Sequence, residues 1–215
     1  AEAMKNIDVS EVQLNSIGSK YIRDYLATEA DPRQVIADAY LYARHAKERN
    51  RYILDKYKRG NGSGMSDAEA DTILSWVNGQ PVDLKASLDE VASIADQIVE
   101  STNAFRKEGD LIPDFAQVAA DPESKWQPTN FSFYVPLRGT LTPEEESVDD
   151  FGNVPRRTPN LYGARGRNDA RMKGRGTEYA TDIVSHLMAQ NMLTIQRAEK
   201  NKVGKAFYDM VASDQ

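Results

Sequence analysis

The stretch that decides the fold is "DPRQVIADAYLYARHAKERNRYILDKY", residues 31–57. Asp31 can cap a helix, and Pro32 suits the first helical turn because its missing N–H is not needed there. Apolar side chains then recur at three- and four-residue steps, as on one stripe of an α-helix. The members of this stripe are Val35, Ile36, Ala39, Tyr40, Ala43, Ile53, Leu54 and Tyr57. The pattern predicts a helix of about 25 residues.

The next stretch is "GNGSGMSDAEADTIL", residues 60–74. Its glycines predict a flexible joint between two helices. Ser66 and Glu69 have the capping-box spacing, and Gly79 is a natural end for the helix that they begin. After Pro81, a long apolar stripe reaches Phe105 and predicts a further helix.

A weaker helix is predicted upstream, after Ser10, because its apolar positions follow the helical repeat only loosely and Gly18 falls within it. Four helices are thus expected before residue 110, and residues 1–109 are interpreted as a helical region.

Residues 110–176 have a different character, because prolines break any long helix there. We expect an extended segment with one short strand, "FSFYVPL" at residues 131–137, in which Pro136 indicates an edge or a strand end. The helical period returns in residues 177–215, which predict a C-terminal helix that packs back on the first region and exceeds 30 residues unless Gly204 interrupts it. The predicted fold is mainly α, a helical domain with one small β element and a long irregular proline- and arginine-rich arm.

Composition limits the function. The chain has 215 residues, a net charge of -6 and no cysteine, which excludes disulfides and thiolate zinc sites. No window is apolar enough for a membrane helix, and the N-terminal residues lack the features of a signal peptide. The chain begins at Ala1 without a starting Met, so we expect a fragment or processed piece of something longer.

The motifs for common catalytic and binding sites are missing. "GNGSG" has no following Gly-Lys-Ser/Thr of a phosphate loop, no calcium-loop register and no nucleophile elbow. His45 and His186 are expected to be partly exposed helix residues and not a catalytic base. The sequence therefore predicts no catalytic, cofactor-binding or metal-binding residue and no cofactor, and the chain is interpreted as non-enzymatic.

One segment does suggest binding. Residues 156–175, here called the basic arm, carry seven basic residues and one acidic one, interleaved with glycines. Such a segment suits a phosphate backbone or an acidic protein surface, this chain's own acidic helices included, and it is also compatible with a merely solvated loop. The candidate partner-binding or nucleic-acid-binding residues are Arg156, Arg157, Tyr162, Arg165, Arg167, Arg171, Lys173 and Arg175.

Several stretches together resemble a known family. They are "YLYARHAKERNRYI" (40–53), "GNGSGMSDAEADTIL" (60–74), "FYVPLRG" (133–139) and "GRGTEYATDIVSHLMAQNMLTIQRAEKNKVGKAFYDMV" (174–211). In this order they resemble a region of the large polyvalent proteins and giant internal virion proteins of tailed phages and plasmids. Those proteins are packaged in the capsid and ejected into the host with the DNA, and they include anti-restriction proteins and proteins that carry virion RNA polymerase. The resemblance spans roughly residues 40–211, and its motifs are short and non-catalytic.

The resemblance implies a non-enzymatic associated segment, because the enzymatic modules of that family sit elsewhere in the polypeptide. It implies a location inside the virion, then in the host cell after ejection. The expected partners are other virion proteins, such as the portal, the tail tunnel or other ejection proteins, with packaged DNA and a homo-oligomer in a symmetric particle as further expectations. The alternative is a nucleic-acid-binding module of an injected anti-restriction or virion RNA polymerase protein.

Overall fold

The computed structural model describes residues 2–58, 62–111, 131–137 and 180–213. Of these residues 75% are helical, so the predicted mainly-α fold is confirmed. The helices of the described part are α1 (Glu2–Lys5), α2 (Glu11–Asn15), α3 (Lys20–Leu26), α4 (Pro32–Tyr57), α5 (Asp67–Asn78), α6 (Val82–Glu108) and α7 (Ile183–Ser213).

Helix α4 begins and is capped as the sequence predicts. The Asp31 carboxylate accepts a hydrogen bond from the Arg33 N–H at 2.9 Å, and Pro32 is the first helical residue. The helix ends at Lys58, whose backbone adopts the left-handed conformation with φ 54° and whose N–H donates to the Leu54 carbonyl. Its 26 residues form the element against which α3 and α5 pack.

Helix α5 starts at the predicted cap, but only half of the capping box forms. The Ser66 hydroxyl accepts the Glu69 N–H at 3.1 Å, and Gly79 ends the helix. The Glu69 carboxylate does not return to the Ser66 backbone. It accepts instead from the Ser19 hydroxyl at 2.9 Å and the Tyr21 N–H at 2.8 Å, so this acid joins α5 to the start of α3.

The single N-terminal helix predicted after Ser10 is wrong, because two short helices occupy this stretch. Ser10 and Gln13 form a reciprocal capping box at α2, and Ser19 caps α3. Between them Gly18 has φ 76°, a conformation that glycine adopts without steric cost. That turn ends α2 and lets α3 leave in a new direction.

The described residues fall into two compact units. The first comprises residues 2–58, 62–97, 131–137 and 180–187, and the second comprises residues 98–111 and 188–213. The division of the chain into 1–109, 110–176 and 177–215 stays a prediction. The largest fully buried apolar side chains are those of Leu14, Tyr21, Ile22, Ile36, Leu41, Tyr42, Met65, Ile73, Leu88 and Ile183, all in the first unit.

In the second unit the C-terminal part of α6 packs closely on α7. A Cβ atom at Gly109 would lie 2.5 Å from the Ala198 Cβ, so only glycine permits this approach. The Asn201 amide donates to the Gly109 carbonyl, and Lys205 pairs with Asp110 at 2.6 Å. Helix α7 continues through Gly204 without interruption for 31 residues.

The predicted strand is not present at residues 131–137, and no strand occurs in the rest of the described chain. This segment has a turn followed by irregular backbone. Its aromatic residues favour a strand, but the N–H groups of Ser132 and Phe133 donate to the Glu48 carboxylate of α4 and not to a neighbouring strand. A side chain has therefore replaced the strand partner.

Across the described ranges, no helix is long and apolar enough to cross a membrane.

Candidate functional site

All eight predicted binding residues of the basic arm lie outside the described residues. The structure does describe the chain on either side of residues 138–179, the segment that contains this arm. Both flanks are held on the first unit, and each is described here as an anchor.

The first anchor is residues 131–137 on α4. The Phe131 and Tyr134 rings meet His45 edge to face, with centroids 4.8 and 5.6 Å away. Phe131 also meets the Tyr52 ring edge to face at 5.6 Å. Such edge-to-face pairs stabilise beyond the apolar area that they bury. Aromatic packing therefore holds this segment on one face of α4.

Charged groups of α4 complete the first anchor. The Arg44 guanidinium lies over the Phe133 ring, 4.3 Å from its centroid, and also pairs with Asp96 at 2.7 Å. The Glu48 carboxylate accepts the N–H groups of Ser132 and Phe133 at 3.2 and 3.3 Å. Hydrogen bonds to an ionised acceptor are stronger than neutral ones.

The second anchor is residues 180–184, which lie against α3 and α4. The Tyr21 hydroxyl donates to the Ala180 carbonyl at 2.9 Å. The Asp182 N–H donates to the Tyr25 hydroxyl at 3.1 Å, and the Gln34 amide donates to the Asp182 carboxylate at 2.8 Å. This anchor is therefore a network of buried and half-buried hydrogen bonds.

Asp38, on α4, caps α7 from outside that helix. Its carboxylate accepts the Val184 N–H at 3.2 Å and the Tyr25 hydroxyl at 3.0 Å. The first N–H groups of a helix have no partner within it, so an acid at this end is favoured by both hydrogen bonding and the helix dipole. A fully buried side chain of α4 thereby determines where α7 begins.

The two anchors contain titratable groups that are shifted by burial. Burial raises the pKa of Asp38 to about 7, outweighing the hydrogen bonds that Tyr25 and Val184 donate to it, which lower it. Burial, with a smaller effect of the nearby Arg49 charge, lowers the pKa of His45 to about 3. His45 is therefore a neutral ring at physiological pH, and its Nδ1 has no hydrogen-bond partner within the described part of the chain.

The loop before α5 is built around Asn50. The Asn50 amide donates to the Met65 carbonyl and the Asp67 carboxylate, both at 2.8 Å, and its oxygen accepts the Ser63 N–H at 2.8 Å. The Tyr42 hydroxyl donates to the Ser63 carbonyl at 2.7 Å. Ser63 and Met65 are fully buried, so this described half of the loop is tightly held and the predicted flexible joint is wrong there.

A cavity of about 560 Å³ lies beside this loop. It is lined by Lys47, Glu48, Asn50, Arg51, Leu54, Ser66 and Asp67. Most of its polar groups already have partners: Lys47 pairs with Asp71, and Asn50 binds Asp67. Two basic and two acidic side chains leave the lining without net charge.

This arrangement offers contacts to a protein segment more readily than chemistry. No cluster of three or more acidic or histidine side chains that could hold a metal ion occurs in the described ranges. The stretches "ERN" and "SGMSD" meet at this loop, where Asn50 satisfies the backbone around Met65.

Sequence reasoning missed Tyr21, Tyr25 and Asp38. Asp38 carried a usable signal, since it interrupts the apolar positions 35–39 of α4, where an acid needs hydrogen-bonding partners. The expectation that His45 and His186 are partly exposed is wrong, because both are 1% exposed. Helical periodicity alone did not separate them from surface residues.

No protein-family model, no curated protein and no solved structure matches the chain. The likeness to phage internal virion proteins rests on the quoted motifs alone.

Proposed function

We propose that the chain is a non-enzymatic structural or docking segment of a phage internal virion (ejection) protein. In this proposal it is packaged in the capsid, is delivered with the DNA, and binds the portal, the tail or a neighbouring virion protein through the basic arm. The location, inside the virion and then in the host cell, belongs to the same proposal. Support comes from the family motifs and from the way both flanks of the arm are held.

The observation that carries the proposal is the pair of anchors on one helix. Glu48 of the first anchor and Asp38 of the second are ten residues apart on α4, which is about 15 Å along the helix axis. Residues 138–179 connect these anchors, and 42 residues can span up to about 140 Å when extended. The segment is far longer than a direct connection needs, which leaves ample length for binding a partner beyond the first unit.

Charge favours an acidic partner for this segment. The basic arm carries a net +6 in a chain whose total is -6, so the remainder carries -12. Arginine forms paired hydrogen bonds with carboxylates and phosphates, which gives such a segment both affinity and orientation. An acidic patch on a neighbouring virion protein is the partner that we propose.

The test is incorporation of the parent protein into particles. Arg165, Arg167, Arg171 and Arg175 are changed to Gln, and the amount of protein per particle is measured by quantitative mass spectrometry. We expect a loss of at least tenfold. The matched control changes four exposed basic residues of the first unit, Lys5, Lys20, Arg23 and Arg33, to Gln and should leave incorporation near the parent level. Equal incorporation of both variants would contradict the proposal.

The second candidate is a nucleic-acid-binding module of an injected anti-restriction or virion RNA polymerase protein. It is favoured by one feature of the arm, the interleaving of arginines, glycines and Tyr162, which suits a phosphate backbone with stacked bases. If all seven basic residues contact phosphates, the logarithm of DNA affinity should fall with the logarithm of salt with a slope of about -5 to -6. A slope near zero would remove this candidate and leave the protein partner.

A further inference from the structure

Helix α7 has apolar residues on two opposite faces. At about 100° per residue, the buried positions Leu187, Thr194 and Ala198 fall on one side of the helix. A second row falls on the opposite side and is here called the outer stripe: Met188, Met192, Val203, Phe207, Met210 and Val211. All of its members belong to the second unit.

The outer stripe is unusually exposed for such side chains. Its first five members are each more than half exposed, and Val211 is 45% exposed. Of the twelve large hydrophobic side chains that are exposed in the described part of the chain, seven are on α7. A helix with apolar residues on both faces is normally covered on both. The stripe therefore indicates a docking surface.

We propose that the outer stripe binds the outer stripe of a second copy of this chain, with the two α7 helices antiparallel. In a two-fold symmetric pair the same surface is used twice, so it has to be complementary to itself. The order of side chains along α7 meets this requirement in one register.

In that register Met192 lies opposite the partner's Phe207, and Met188 lies opposite the partner's Val211. Symmetry repeats both contacts at the other end of the pair. Each end of the interface is then apolar over several turns, while Gln196 and Val203 flank the centre. Residues 188–211 span about 35 Å of helix, enough for a two-helix seam.

The charges at the centre of the stripe support the same register. Glu199 and Lys200 interrupt the apolar row, and both are exposed. In the antiparallel pair Glu199 lies opposite the partner's Lys200, and this contact occurs twice. A parallel pair in register would place Glu199 beside the partner's Glu199, which is repulsive. Charge complementarity therefore selects a second, antiparallel copy.

The first experiment measures the mass of the full 215-residue chain by sedimentation equilibrium over increasing concentration. We expect a dimer. The variant carrying Met192→Glu and Phe207→Glu should weaken dimerisation at least tenfold without loss of helical circular dichroism. The matched control is Tyr208→Glu, at an equally exposed aromatic residue of α7 about 140° from Val203, and it should dimerise like the parent. A monomeric parent, or a dimer unaffected by the double variant, would overturn the proposal.

A charge exchange tests the register. Glu199→Lys and Lys200→Glu should each weaken the dimer, because each puts like charges opposite one another twice. The double variant should recover most of the affinity of the parent. Glu199 also pairs with Lys202 of its own chain at 2.9 Å, and loss of that exposed pair has little effect on folding. Two weakened single variants without recovery in the double variant would refute this register.

Orientation is measured with one spin label. The chain has no cysteine, so Ala212→Cys gives a single labelling site on α7. An antiparallel pair places the two labels about 35–40 Å apart, whereas a parallel pair places them within about 20 Å. The shorter distance would overturn the proposal. These experiments involve no residue of the basic arm, so their outcome is independent of the proposed function.

Discussion

The two anchors hold opposite ends of the same segment by different physical means. The first anchor packs aromatic rings and an arginine on α4 and uses one carboxylate for two backbone N–H groups. The second anchor depends on buried hydroxyl and carboxyl groups of α3 and α4. Ring packing tolerates partial exposure, while a buried hydrogen-bond network loses stability whenever one partner is left alone. The second anchor should therefore be the more sensitive of the two.

The anchors should also respond to pH in opposite directions. The pKa of Asp38 is higher in the folded chain than its ordinary value of 3.8, so folding favours the proton, and stability falls as pH rises from about 4 to about 7. The pKa of His45 is lower than its ordinary value of 6.5, so folding favours the neutral ring, and stability falls as pH drops below 6.5. Between these limits the two effects partly cancel in the parent chain.

The largest expected effect is that of Tyr21→Ala in the second anchor. Tyr21 is 1% exposed, meets the Tyr42 ring edge to face at 5.2 Å and donates to Ala180. Its removal should lower the free energy of unfolding by about 3–5 kcal/mol, as for other buried aromatic residues. Urea denaturation followed by circular dichroism measures this loss.

The comparison variant in the first anchor is Phe131→Ala, which should cost about 1–2 kcal/mol because Phe131 is only partly buried. Tyr21→Phe separates the hydroxyl from the ring and should cost about 1–3 kcal/mol, since the buried Ala180 carbonyl loses its donor. If Phe131→Ala proves as costly as Tyr21→Ala, the contrast between the anchors is wrong.

The next effect is the pH dependence removed by Asp38→Asn. A change of about 3 pKa units corresponds to about 4 kcal/mol. Relative to the parent, the variant should therefore become more stable by about this amount between pH 4 and pH 7, on top of any constant loss from altered hydrogen bonds. Urea denaturation at four pH values measures the difference, and parallel curves for variant and parent would contradict the role given to burial.

The smallest effect is the opposite slope removed by His45→Phe. The substitution keeps an aromatic ring beside Phe131 and Tyr134 but cannot be protonated. Relative to the parent, the variant should gain about 2–3 kcal/mol as pH falls from 6.5 to 4.5. The same titration of stability measures it, and a difference that does not change with pH would show that the His45 ring does not need to stay neutral.

Prediction from sequence succeeded where the signal is local. The start of α4 follows from Asp31 and Pro32, and the start of α5 follows from Ser66, because a cap and its recipient N–H are two or three residues apart. It failed where the partner is distant. The aromatic residues 131–137 predicted a strand, yet their backbone partner is Glu48, more than eighty residues away.

The candidate site was predictable only in part. Composition identified the basic arm, because clustered charge needs no fold to be recognised. The anchors on either side of it depend on Tyr21, Asp38 and His45, which approach their partners only in the folded chain. Periodicity predicts which residues share a face, but not what that face meets.

The sequence by itself determined that the chain is mainly helical, where its two best-capped helices begin, and that it has no cysteine chemistry. Tertiary structure alone decided that Glu69 holds the start of α3, that Asp38 caps α7, and that residues 131–137 lie on α4 without forming a strand. The physical reason is range. Propensity and capping act within one helical turn, whereas the partners of buried polar groups are fixed only when helices distant in sequence pack together.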